Sequence, residues 1–174
     1  MSQLSESQAQ ANTASALVGP LVGPIYQRLE AAGITLPSVA APAAAYVMAV
    51  QTGNVVHLSG HIAKRDGKPW VGKLGDSLNT AEGKAAARAV AIDLIATLQA
   101  HTGDLGKVTR IVKLVSLVHS SSDFTEQHLV TNGASELIGE IFGEAGKHAR
   151  SAFGVAQLPF GVCIEIEMIA ELSD

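Results

Sequence analysis

The sequence predicts an α+β fold: a mixed sheet with two main helices on one face and a short helix ahead of it. Three observations predict it. Two stretches of helical spacing, one opened by Asn79 and one near Asp123, are set between runs of strand character. The run from 107 to 119 is apolar on both faces at its middle (Ile111, Val112, Leu114, Val115, Leu117, Val118), as a covered central strand is. Helices of this number and length suffice to cover one face of a sheet.

The elements follow in order. Residues 1–13 are polar and rich in Ser and Gln, so they are expected to form a disordered tail, leaving 14–174 as one domain. Leu17, Leu21, Ile25, Tyr26 and Leu29 have helical spacing, and the best-defined helix starts near Pro24 and closes before Gly33. The runs 46–51 and 55–61 flank Gly53-Asn54 and read as a hairpin. Asp66-Gly67 and Gly72 keep the next stretch turn-rich. Asn79 and Glu82 have the spacing of a capping box, opening an alanine-rich helix that ends near Gly103. Its inner face is read as Ala85, Ala89, Ile92 and Ala96 beside Val90, Leu94, Ile95 and Leu98. After the central strand, Asp123 and Glu126 open a second helix carrying Leu129, Leu137, Ile138 and Ile141 and stopping near Gly143. Two last runs, around Pro159 and Gly161, are expected to pair as a terminal hairpin.

Composition narrows the function classes. Only 16% of the 174 residues are charged while 47% are apolar, and the mean hydropathy is +0.26. That charge is low for a soluble domain and points to apolar surface buried between subunits. The net charge of −4 and the absence of a basic cluster argue against nucleic acid as a partner. A lone cysteine, Cys163, excludes an internal disulfide and a multi-cysteine metal site. No apolar run approaches the roughly 18 residues of a membrane span. With no basic-then-apolar leader at the start, a cytoplasmic protein is expected.

The last two runs hold the conspicuous charges. In the final one, Ile164, Ile166, Met168 and Ala170 alternate with Cys163, Glu165, Glu167, Ile169 and Glu171. In the one before it, Phe153 and Val155 oppose Arg150, Ala152, Gly154 and Ala156. If both bulky apolar sets pack on the helices, Arg150 and Glu165 share the face turned away from them. A charge there is costly unless paired. From the residues alone, an Arg150–Glu165 ion pair buried at a subunit interface and a carboxylate-binding site weigh equally.

Here the sequence resembles the Rid (YjgF-type) family of reactive-intermediate deaminases. The resemblance spans residues 33–172 and is carried by Ala149-Arg150-Ser151 with Leu158-Pro159, by Ile164-Glu165-Ile166-Glu167, by Gly53-Asn54 with Leu58-Ser59-Gly60, and by the element order. It implies a chorismate-mutase-like α+β subunit assembled as a homotrimer with a ligand cleft at each interface. It also implies hydrolysis of 2-aminoacrylate and related 2-imino acids to 2-keto acids and ammonia, with no metal or organic cofactor. Carried over by position, Arg150 is the arginine that grips the substrate carboxylate. Glu165 is the acidic residue that handles water or the imine nitrogen. Tyr46, Ser59 and Asn132 fall on the family's cleft tyrosine, serine and asparagine, Asn132 after a one-residue gap. The chain departs from the archetype at Ala152, where the family has cysteine, at Ala44-Ala45, where it has Gly-Pro, and at His61, where it has glutamine. The longer N-terminus and the Asn132-Gly133-Ala134-Ser135 stretch mark a divergent branch.

A non-catalytic binder of small carboxylates such as 2-keto acids, using the same Arg150 pocket, is the alternative function. The endoribonuclease role attached to some relatives sits poorly with the acidic balance. His57 and His61, four apart in a strand, are separated by about 13 Å and cannot share a metal. His101, His119, His128 and His148 receive no role. Gly83-Lys84 lacks the first glycine of a phosphate loop, because Leu78 stands there.

Overall fold

The computed structural model of the chain describes residues 23–39 and 45–174; the expected tail and the first residues of the domain lie outside them. Helix α1 (Pro24–Ala31) starts on its proline, and Gly33 follows in the left-handed region at φ 66°. Strands β1 (Ala49–Thr52) and β2 (Val55–Ile62) form the expected hairpin, turned by Gly53 at φ 59°. A small ribbon, β3 (Lys64–Arg65) with β4 (Lys68–Pro69), fills the turn-rich stretch, and Arg65 lies over the Trp70 ring at 3.5 Å.

The capping box is formed in full. The Glu82 N–H donates to Asn79 Oδ1 at 2.9 Å and the Asn79 N–H to the Glu82 carboxylate at 3.0 Å. From there helix α2 (Thr80–Thr102) runs to a left-handed cap at Gly103. Strand β5 (Val108–His119), helix α3 (Gln127–Phe142), strand β6 (Ala149–Val155) and strand β7 (Ile164–Leu172) complete the chain.

The five-stranded sheet has the order β1-β2-β7-β5-β6; β6 lies parallel to β5 and the other pairs are antiparallel. Helices α2 and α3 cover one face. Leu94, Ile95 and Leu98 of α2 and Leu137, Ile138 and Ile141 of α3 pack there with Ile111, Leu114, Ile164, Ile166 and Met168, all essentially inaccessible. The inner face of α2 holds the expected Val90, Leu94, Ile95, Ala96 and Leu98, but its N-terminal half turns in Gly83, Ala86, Ala87 and Ala91, while Ala85 is exposed. The reason is α3, which crosses so near that only the smallest residues fit: a Cβ on Gly133 would lie 1.9 Å from the Lys84 carbonyl oxygen.

Helix α1 bolts the ends of the two main helices together. The Tyr26 hydroxyl lies 2.6 Å from Gln99 Oε1 and 2.9 Å from Asp104 Oδ1, and it accepts from the Leu105 N–H at 2.7 Å. Arg28 donates to the Ile141 carbonyl at the end of α3 at 3.1 Å, one of the acceptors a helix terminus leaves open.

Two expectations about the last strands are corrected. The terminal hairpin is not formed, because β5 lies between β6 and β7. A strand that follows β5 through a helix packed on the same sheet is delivered parallel to it. The chain then returns through the Pro159–Gly161 turn to the slot between β2 and β5, where both edges of β7 are paired. The faces of β6 are also the reverse of those expected. Arg150 is in register with Leu114 and Met168 on the helix side, whereas Phe153 is in register with Leu117 and Glu165 on the open side. On the helix side of β6 a Cβ on Gly154 would meet the Oγ of Ser120, just after β5, at 2.7 Å. Phe153 lies on the open face, 46% exposed.

Candidate functional site

Arg150 sits on β6, an edge strand, with its side chain laid against the N-terminal half of α3. Its Nη1 donates to Asn132 Oδ1 at 2.9 Å and to Ser135 Oγ at 3.1 Å, and its Nη2 donates to the His128 carbonyl at 3.2 Å. Residues 128, 132 and 135 fall on one stripe of a helix, which is why a single guanidinium reaches all three. A guanidinium has five N–H donors. Three are spent here, leaving Nε–H and one Nη2–H without a partner among the described residues. No carboxylate pairs with Arg150 among those residues either. The intrachain Arg150–Glu165 ion pair is therefore absent: the two side chains leave opposite faces of the sheet, and β5 runs between their strands.

Glu165 belongs to a different place. It borders a cavity of about 250 Å³ at the edge of β2, together with Tyr46, Gly60, His61, Asp93 and Phe160. A β-bulge builds this corner. Leu58 pairs with Met168 and His61 with Ile166, so Ser59 and Gly60 together oppose one residue of β7. Both Leu58 and His61 consequently face the helices, and the backbone at Gly60 is pressed against Glu165. A Cβ there would stand 2.0 Å from Glu165 Oε1. His61 is buried at the cavity floor; its Nδ1 donates to the Ser59 carbonyl at 2.7 Å and its Nε2 faces Thr97 Oγ1 at 2.7 Å. Burial holds its pKa below the ordinary histidine value, and the nearby Lys64 adds to that. The Glu165 carboxyl is pushed upward, first by burial and then by Glu167 on the same face.

The predicted residues thus fall into two groups. Arg150 and Asn132 are in direct contact at one edge of the sheet, and Tyr46 and Glu165 line the cavity near the other. Ser59 joins neither group. Its hydroxyl donates to the Val47 carbonyl at 2.7 Å, and it borders a second cavity, of about 240 Å³, with Lys113 and Glu167 on the open face. Sequence reasoning missed Ser135, Gly60 and the His61–Thr97 pair. The signals were there: Ser135 lies one helical turn after Asn132, and an isolated glycine within a strand pattern marks a bulge or a close approach. Among the described residues, no group of three His, Cys, Asp or Glu could hold a metal ion, and no helix is long and apolar enough to cross a membrane.

Residues 26–172 match the YjgF/chorismate mutase-like family, whose description also carries an endoribonuclease label. The chain belongs to the YjgF/chorismate mutase-like family. It is similar to protein TCP17 of Trypanosoma cruzi, with 49% identity over 154 residues, 87% of this chain and 96% of the relative. Among solved structures, Atu1372 from Agrobacterium tumefaciens, a protein of unknown function, shares 40% identity at a TM-score of 0.79, over 86% of this chain and 94% of that one. A Shewanella oneidensis protein shares 32% identity at a TM-score of 0.83, over 86% and 100% of the two chains. The family fixes the fold expectation made from sequence, a chorismate-mutase-like mixed sheet. The likeness to TCP17 and Atu1372 places this member in a divergent branch of that family.

Proposed function

We propose that this protein hydrolyses small 2-imino acids of the 2-aminoacrylate type to 2-keto acids and ammonia, in clefts between the subunits of a homotrimer. The observation that carries the reading is the state of Arg150 among the described residues: a permanent cation, fastened by three acceptors, with two N–H donors unspent and no carboxylate beside it. A bound carboxylate supplies the two oxygens and the charge that this arrangement lacks.

The other half of the chemistry lies with Glu165. A 2-imino acid held by its carboxylate presents an electrophilic C=N carbon next to it. Water attacks that carbon of the protonated imine, one of its protons passes to Glu165, and the C=N electron pair goes to nitrogen, giving a neutral tetrahedral aminol. Glu165 then returns that proton to nitrogen, the C–N bond breaks with its electron pair leaving on ammonia, and the aminol hydroxyl gives its proton back to the Glu165 carboxylate as the C=O forms. A carboxyl that burial has made more basic suits a group that must take and give one proton. Tyr46 borders the same cavity and would orient the substrate, with Asn132 keeping the arginine in place.

Arg150 and Glu165 do not meet within one chain, so the reading requires a second copy that brings one subunit's arginine to the next subunit's glutamate. The open sheet face supports such an assembly: Val50, Val112 and Phe153 are all exposed there, beside the half-covered Val115, Leu117 and Ile169.

The test is an assay in which 2-aminoacrylate is generated in situ, comparing wild type, Arg150→Ala and Glu165→Gln. Wild type should accelerate keto-acid release, and each variant should lose about 10²-fold or more. Binding of pyruvate without turnover of any imine would instead establish the carboxylate-binding module. A monomer in light scattering would rule out the interface cleft.

A further inference from the structure

We infer that Ser135 and His148 are positioning residues for Arg150, a relay that holds the guanidinium ready for a carboxylate. The inference rests on the carboxylate-clamp reading of Arg150 and extends it to two residues that neither the sequence nor the family assigns a role.

The relay can be followed atom by atom. His148 Nδ1 lies 2.6 Å from the Gly146 carbonyl oxygen, which can only accept, so Nδ1 carries the ring proton. In the neutral ring Nε2 is then a lone pair, and it lies 3.0 Å from Ser135 Oγ. Only the serine hydroxyl can donate across that gap. Its proton being committed to His148, Ser135 Oγ turns a lone pair toward Arg150 Nη1, 3.1 Å away. Every donor and acceptor in the series has its direction set by the carbonyl at the far end. The opposite tautomer would set an Nδ1 lone pair against that carbonyl at 2.6 Å.

The location explains the need. Arg150 is on an edge strand, and an arginine side chain has many rotamers to lose. Without Ser135, Nη2 would still be held by the His128 carbonyl at 3.2 Å, but Nη1 by Asn132 alone. Ser135 supplies the second bond to the same nitrogen, and His148, two residues before Arg150 in the chain, ties that serine to the approach to β6. The guanidinium is thereby fixed with Nε–H and one Nη2–H as its remaining donors. The rest of the relay belongs to the chain around Gly146, where a Cβ would lie 2.5 Å from the Ile138 carbonyl oxygen, so this segment is seated firmly on α3.

Three measurements on the full-length protein decide the matter. In ¹⁵N NMR at neutral pH, with the signal assigned through His148→Gln, the His148 ring should be the neutral Nδ1–H tautomer; an Nε2-protonated or doubly protonated ring overturns the relay. Ser135→Ala and His148→Phe should each weaken pyruvate binding and raise KM for 2-aminoacrylate about tenfold, the worth of one hydrogen bond to a charged group, with kcat within about twofold. Ser135→Thr, which keeps the hydroxyl, should restore most of the loss. Because the two residues act in series, the double variant should be no worse than the weaker single one, and additive losses overturn the proposal. If wild type neither binds pyruvate nor turns over an imine, the clamp reading fails by itself. The relay is then judged on the Arg150 Nε–H signal, which should exchange with water faster in Ser135→Ala; unchanged exchange overturns it.

Discussion

Replacing Gly133 by alanine would set a methyl group against the backbone of the other main helix. The added Cβ would lie 1.9 Å from the Lys84 carbonyl oxygen and 2.8 Å from its carbon, where ordinary contact begins at 3.4 Å. Neither atom belongs to a side chain that can rotate away, so α2 and α3 must separate by about 1.5 Å, the difference between those two distances. Overpacking of this kind costs about 1–3 kcal/mol, and a backbone obstacle puts the cost near the upper end. Alanine in place of glycine within a helix returns about 1 kcal/mol, leaving a net loss of about 2 kcal/mol. The same helix holds its own control. Gly139 is exposed, and a Cβ there meets nothing within 4 Å, so Gly139→Ala should stabilise by about 1 kcal/mol. One chemical change at two positions of α3 should thus differ by about 3 kcal/mol. Urea denaturation at a single fixed protein concentration, needed because assembly adds to apparent stability, measures both. Gly133 also adjoins Asn132, so its variant should loosen the Arg150 anchorage and weaken pyruvate binding while Gly139→Ala does not. Equal stability of the two variants would refute the close helix crossing.

Gly60→Ala should displace the Glu165 carboxylate, whose Oε1 lies 2.0 Å from the added Cβ. Turnover should fall toward that of Glu165→Gln, and the double variant should lose little more; full activity in Gly60→Ala would contradict the bulge geometry. The raised pKa of Glu165 has a definite sign for stability. Folding favours the protonated form, so its contribution is fully present below the unfolded carboxyl pKa and is lost as pH rises through the folded one. Glu165→Gln should therefore be more stable than wild type at pH 7 and equal to it in acid, as chemical denaturation at both pH values would reveal. Cys163 is fully buried and its thiol is pushed up to about 11, so it should resist thiol reagents at pH 8 until denaturant is added. Rapid labelling of the native protein would contradict that burial.

Much of the fold was legible because it is written in local chemistry. The capping box at Asn79, the stop at Gly103, the Gly53-Asn54 hairpin and the start of α1 at Pro24 each depend on residues within a few positions of one another. Alternation along the last strand was equally reliable, since Ile164, Ile166, Met168 and Ala170 must all meet the same core. The misreadings share a different cause. Phe153 and Val155 have the bulk of core residues and Arg150 the charge of an outward one, yet the register of β6 with β5 sets the faces the other way round. On β6 the parallel register with β5 puts Arg150, Ala152 and Gly154 on the helix side, and at this edge strand neither face is fully buried. On α2 the expected Val90, Leu94, Ile95, Ala96 and Leu98 are buried, but the close approach of α3 at Gly133 also puts Gly83, Ala86, Ala87 and Ala91 inward, and Ala85 is exposed.

The site divides along the same line. By itself the sequence determined which residues carry the chemistry: an arginine and a glutamate out of place in apolar strands, an asparagine in the second helix, a tyrosine before the hairpin. Those identities come from side-chain type and spacing, which a linear chain displays directly. Only the tertiary structure decided who stands beside whom. Insertion of β7 between β2 and β5 parted Arg150 from Glu165, gave the arginine to Asn132 and Ser135 on α3, and set the glutamate against the bulge at Gly60. That pairing depends on strand order and on how closely a helix can approach a sheet, quantities that arise from packing the whole chain at once and that no short segment contains.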